Sequence, residues 1–272
     1  YGTSSITRDG WNDPIVLITI IGGVILITLF VIRQTRLTSP LLDFSVFKNG
    51  QFSIGLIVMS LVMISLIGSE TILPMFVQTI MGESALNYGL ILLPGAIVMG
   101  FMSVISGFLF DRYGAKILAI IGMFVVVVTT SYFIFMGKDT STTVLTTVYA
   151  ILMIGLALGL MPLMTHTMNQ LTPEMNAHGS SMVNTAQQIS ASIGTAILIT
   201  IMSHATRTFT PTMSDYEGMS KQVMTAQIKQ DALINGYHAA FWFTVIIAIV
   251  GFACVFMLYN KKKADKTFKV YG

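Results

Sequence analysis

Ile15 to Ile32 is an unbroken run of eighteen residues without a charged side chain. As a helix it rises about 27 Å, close to the ~30 Å hydrocarbon thickness of a bilayer. Six further apolar stretches follow, at Phe52–Ile80, Tyr88–Phe110, Lys116–Met136, Thr143–Met168, Ser180–Ser203 and Tyr237–Tyr259. In hydrocarbon each backbone amide must be satisfied within the structure, and a helix does this by itself. The pattern predicts an all-α membrane protein with seven transmembrane helices. Charge supports this: only 10% of the 272 residues are Asp, Glu, Lys or Arg, against about 25% in a soluble domain. So few charges cannot cover a water-facing surface, and the lipid bilayer is the expected partner.

Orientation follows from the basic residues in the loops. With Arg33 and Arg36 placed in the cytoplasm, that side also collects Lys48, Arg112, Lys116 and the five lysines after Tyr259. The opposite side receives Arg8, Lys138, Arg207, Lys221 and Lys229. Ten against five predicts a cytoplasmic C-terminus. The basic tail reads as a stop-transfer anchor near anionic lipid, with no nucleic acid as partner. The connections are short except for 205–236, a polar segment with room for a short amphipathic helix. The single cysteine, Cys254, excludes a disulfide framework. No nucleotide fingerprint or metal-binding signature is present, so no cofactor is expected. The chain opens on Tyr1 without the basic-then-apolar pattern of a signal peptide. A piece of a longer polypeptide is the expectation.

Between the third and fourth stretches the chain reads Gly107-Phe-Leu-Phe-Asp111-Arg112-Tyr-Gly114-Ala115-Lys116. Gly107 would permit close helix contact, and Gly114 a tight turn. Asp111 would sit near the start of the next helix, where its dipole favours a carboxylate. Arg112 and Lys116 would pair with carboxylates. An ordinary basic turn is the plainer reading. The segment resembles the loop motif of the major facilitator superfamily, where such a cluster serves as a conformational switch. Pro40-Leu-Leu-Asp43, Phe47-Lys48-Asn49, Leu73-Pro74, Leu93-Pro94, Asn169-Gln-Leu-Thr-Pro173 and Gly194-Thr-Ala196 extend the likeness in order along the chain. They resemble drug:proton antiporters of the fourteen-span EmrB/QacA type, and within them the lincomycin-resistance exporters.

The resemblance implies one linker helix plus a six-helix half-bundle. The domain layout expected from it is an extracellular segment at 1–14, a linker helix at 15–32 and a cytoplasmic connection at 33–51. The C-terminal six-helix transporter bundle follows at 52–259, and the basic tail at 260–272. It further implies a missing N-terminal half as partner, with protons and small hydrophobic or cationic drugs as ligands.

Two polar features inside the spans are candidate sites. Glu70 is the one acidic residue well within an apolar stretch. A charge near the bilayer centre costs about 2.5–3.5 kcal/mol, so it should face a cavity or a partner. It is either a proton- or cation-binding carboxylate or a group hydrogen-bonded to a neighbouring helix. Ser181, Asn184, Gln188, Ser192 and Thr195 recur every three to four residues, with Gln187 beside them. They place a polar stripe on one helical face, which lines a cavity or bonds to another helix. The small pairs Gly155/Gly159 and Ser190/Gly194 read as helix-packing contacts. The function expected is proton-coupled multidrug efflux by alternating access. Export of one metabolite, a seven-helix receptor and a membrane enzyme are the alternatives. No catalytic residues are expected: the spans hold no paired nucleophile and base, and the last stretch lacks the lysine a retinal protein needs.

Overall fold

The computed structural model describes residues 14–36, 43–212, Tyr216 and 220–258. The basic tail and all but the last residue of the predicted 1–14 segment lie outside them. Seven helices carry the fold: α1 (Pro14–Arg36), α2 (Gly50–Thr79), α3 (Ala85–Tyr113), α4 (Ala115–Phe133), α5 (Thr142–Met168), α6 (Asn176–Arg207) and α7 (Lys221–Val255). Short 3₁₀ turns at Phe44–Lys48 and Pro173–Met175 precede α2 and α6. Among the described residues these seven helices are each long and apolar enough to cross a membrane. The chain is an all-α membrane protein.

Local chemistry sets the helix ends. Asn49 caps α2, its Oδ1 accepting from the Gln51 and Phe52 amides at 3.1 and 3.3 Å. Its Nδ2 donates to the Gln170 carbonyl at 2.7 Å, tying the start of α2 to the end of α5. Ser84 caps α3 by accepting from the Asn87 amide at 3.1 Å. Gly114, at φ +79°, ends α3 and opens α4, a conformation that favours glycine. Pro74, Pro94 and Pro162 lie inside α2, α3 and α5. Neighbouring helices make such prolines tolerable in membranes. Buried hydroxyls of Ser69, Thr130, Thr167 and Thr244 donate to carbonyls four residues back in their own helices.

From α2 to α7 the helices run alternately up and down. We term the end holding the Gly114 turn the base and the opposite end the rim. α2 is the hub and packs on α5, α6 and α7, while α3 packs chiefly on α5. Phe76, Phe133, Tyr237 and Phe241 are fully buried in the core. Close approach depends on particular glycines. A Cβ on Gly122 of α4 would fall 2.6 Å from the Gly155 carbonyl oxygen and 2.6 Å from the Gly159 nitrogen of α5. The Gly155/Gly159 pair is thus a packing contact, as expected. Gly194 likewise rests on Ile64 of α2.

The last helix departs from expectation. The polar stretch from Lys221 to Gly236 is not a separate amphipathic element: it is the first part of a 35-residue α7. A helix of this length rises about 52 Å, well beyond the hydrocarbon. Met224, Ala226, Gln227, Lys229, Ala232 and Leu233 are strong helix formers, and no proline interrupts them. Their polarity marked the boundary of the bilayer, not the end of the helix.

Candidate functional site

Glu70 lies on α2, nine residues before its rim end, and its side chain is exposed from the bundle. Among the described residues its carboxyl has no hydrogen bond or ion pair. Tyr88 lies on α3 and Tyr149 on α5, two helices that pack against α2. Tyr88 is three residues below the rim end of α3, and Tyr149 seven below that of α5. Tyr149 is buried against α3, where Gly95 leaves room for its ring. Each tyrosine stands in an apolar stretch, and only the packing of the helices puts α3 and α5 against the helix that carries Glu70.

The stripe on α6 is open. Ser181, Asn184, Gln188 and Ser192 are exposed, and Gln187 and Thr195 are half-buried. The helix register fixes its depth. Gly194 sits beside Ile64 and Leu198 beside Gly68, so α2 and α6 are parallel, and Glu70 is level with Thr200. Ser192 is therefore about 12 Å basal to Glu70, and Asn184 about 24 Å. The two candidate features are not brought together. Glu70 lies in the rim half, and the stripe runs from Ser181 in the base half up to Thr195, about 8 Å basal to Glu70.

The loop at the base differs from its expected roles. Gly107 makes no close helix contact: a Cβ there would meet nothing within 4 Å. Asp111 lies in the last turn of α3 and not at the start of α4. Among the described residues neither Arg112 nor Lys116 is paired with a carboxylate. The Arg112 guanidinium lies over the Tyr113 ring, 5.4 Å from its centre. Lys116 Nζ donates to the Phe256 carbonyl at 2.9 Å, just past the end of α7. A cation there meets the negative end of the helix dipole and an orphan carbonyl together. Gly114 alone performs its expected task, making the turn.

Residues 5–195 match the Major Facilitator Superfamily. The chain belongs to the major facilitator superfamily. It is 47% identical over 206 residues to the uncharacterized MFS-type transporter YhcA of Bacillus subtilis, covering 76% of this chain and 39% of that protein. It is 39% identical over 258 residues to the uncharacterized MFS-type transporter YcnB of the same organism, covering 95% and 52%. Against the lincomycin resistance protein LmrB of Listeria monocytogenes it is 35% identical over 262 residues, covering 96% and 54%. The chain spans about half the length of these curated relatives. Members of this superfamily are transport proteins, which displaces the receptor reading. Seven apolar helices make the chain a multi-pass membrane protein.

Proposed function

We propose that this chain supplies the C-terminal half of a proton-coupled exporter of hydrophobic or cationic drugs. The observation that carries this reading is the pair of polar features left open by the bundle: Glu70 and the α6 stripe. Charged and amide side chains are costly against lipid, so these faces need another occupant. A second bundle of similar length would cover them and enclose a path between the halves near the midplane. Alternating access then exposes that path to one side at a time. The kinship with lincomycin resistance proteins supports drug export.

Within this reading Glu70 exchanges a proton for a cationic drug, and Asn184, Gln187, Gln188 and Ser192 offer hydrogen bonds deeper along the route. Gly107, Asp111, Arg112, Gly114 and Lys116 form the switch loop at the cytoplasmic face. Lys116 holds the end of α7 in one state. The layout is an extracellular segment, a linker helix, a cytoplasmic connection, the six-helix bundle and a cytoplasmic basic tail.

The test is Glu70→Gln in the transporter with both halves, compared at matched membrane levels. Glutamine keeps the size and much of the hydrogen bonding but loses the counter-charge. Export of cationic drugs should fall about ten-fold, while export of neutral drugs stays near the parent, because only a cation loses a Coulomb partner in a low-dielectric path. Equal export of both classes by variant and parent would remove Glu70 from the mechanism.

A further inference from the structure

Where α7 enters the bundle at the rim, four consecutive residues each engage a neighbour. Asn235 Nδ2 donates to the Ala205 carbonyl of α6 at 3.1 Å. Gly236 is buried against α6: a Cβ there would meet Thr206 Oγ1 and fall 2.7 Å from the Met202 carbonyl oxygen. Tyr237 is 1% exposed, and its hydroxyl pairs with Thr79 Oγ1 at the rim end of α2 at 2.8 Å. Its ring meets Phe76 edge to face at 5.4 Å. His238 Nε2 lies 2.7 Å from the carbonyl of Met136, in the turn after α4.

We propose that Asn235–His238 is a clamp that sets the spacing of α2 and α6 at the rim. It holds that spacing constant while the transporter changes state. These two helices carry Glu70 and the polar stripe, so the four residues are positioning residues for a site they do not touch. The inference rests on the transport reading for its role in the cycle, and on geometry alone for the spacing.

The chemistry suits a fixed joint. Asn235 and Gly236 address backbone atoms of α6, which cannot swing to other rotamers. Tyr237 reaches α2 with a part-buried hydrogen bond to Thr79 from a ring that is itself buried. Gly236 admits α6 to contact distance, where any side chain would wedge the helices apart. Above the clamp, α7 continues as a polar helix, and Tyr216 donates to Asp231 Oδ2 at 2.8 Å. The clamp lies between that projection and the bundle.

Two measurements decide the proposal. In this chain, with Cys254→Ser, spin labels at Gln78→Cys on α2 and Ile197→Cys on α6 should report one narrow distance. Gly236→Ala should broaden it or displace it outward, because the Met202 carbonyl must retreat from 2.7 Å to ordinary contact. A distribution that superimposes on the parent overturns the clamp. Should Gly236→Ala fail to fold, Tyr237→Phe and Thr79→Val answer instead: each should broaden the distance, and the double variant should be no broader than either. Additive or absent broadening counts against the joint.

In the two-halved transporter, Ala205→Cys and Asn235→Cys bridged by a short bis-methanethiosulfonate should export drug within about two-fold of the unbridged protein. A block that dithiothreitol reverses would mean that the contacts break during transport, and the proposal fails. A parent that exports nothing would refute the transport reading, and the spin-label distances would still decide the clamp.

Discussion

α2 and α3 are nearly the same object when compared by composition. They have 30 and 29 residues, mean hydropathies of 2.2 and 2.1, and one internal proline each. Yet 13 of the 30 residues of α2 are buried and only three of the 29 of α3. The reason lies in the solvent. Lipid tails are as apolar as leucine, so hydropathy decides whether a segment enters the bilayer and says nothing of which neighbours it finds there. Small residues do not decide it either. Gly55 and Gly68 of α2 abut Thr167, Leu198 and Thr244, whereas Gly89, Gly100 and Gly107 of α3 face open space.

The sharpest way to break this comparison is to delete equal side chains from both helices. Phe76→Ala in α2 removes a ring that is 0% exposed and meets Tyr237 edge to face. We expect it to cost about 3–5 kcal/mol. Phe101→Ala in α3, at 71% exposure, should cost less than about 0.5 kcal/mol. Chemical unfolding in mixed micelles reads both, and similar losses would refute the burial contrast.

The caps give the next largest difference. Asn49→Ala removes the cap of α2 and the bond to Gln170, an expected loss of about 2 kcal/mol. Ser84→Ala removes only a cap, at about 1 kcal/mol. The same unfolding curves should rank them in that order.

Glycine substitutions should differ in sign. Gly100→Ala gains helix propensity in open space and should stabilise by up to about 1 kcal/mol. Gly68→Ala meets Leu198 Cδ1 at 2.8 Å and Thr244 Oγ1 at 3.0 Å, and should destabilise by about 1 kcal/mol net of that gain. Thermal midpoints in one detergent would show a rise and a fall, and two shifts of the same sign would contradict the packing.

The smallest effect concerns pH at the approach to α2. The Ser45 amide donates to Asp43 Oδ1 at 2.8 Å and holds the Asp43 carboxyl below the usual carboxylate range. A lowered folded pKa means that the support is complete above the ordinary range and is lost as pH falls through the lowered value. Amide exchange at Ser45, corrected for its intrinsic rate, should therefore accelerate in acid, and Asp43→Ala should remove that pH dependence. Asn87, capped by the neutral Ser84, should show none.

The seven spans were legible because each is long, apolar and nearly free of charge. The Gly155/Gly159 contact was legible because small residues one turn apart have few other uses in a membrane. Other features were hidden for definite reasons. The polar start of α7 read as a loop, since hydropathy registers the edge of hydrocarbon while backbone hydrogen bonding continues past it. The loop from Gly107 to Lys116 suggested ion pairs, but Lys116 found a helix-end carbonyl instead, a partner present in every sequence and visible in none.

Sequence alone determined that this chain enters the bilayer seven times as helices, because unsatisfied amides and exposed charges are prohibitive there. It also determined which polar groups stand out within those helices, and its loop from Gly107 to Lys116 carried the likeness to the superfamily. Tertiary structure decided what those groups share. It packed α3 and α5 against the helix that carries Glu70, offset Ser192 and Asn184 from Glu70 by about 12 and 24 Å along the bundle, and buried α2 while leaving α3 open. These outcomes depend on the register between helices. Register is set by a few contacts at atomic distance, such as Gly194 on Ile64, which no periodicity within a single segment encodes.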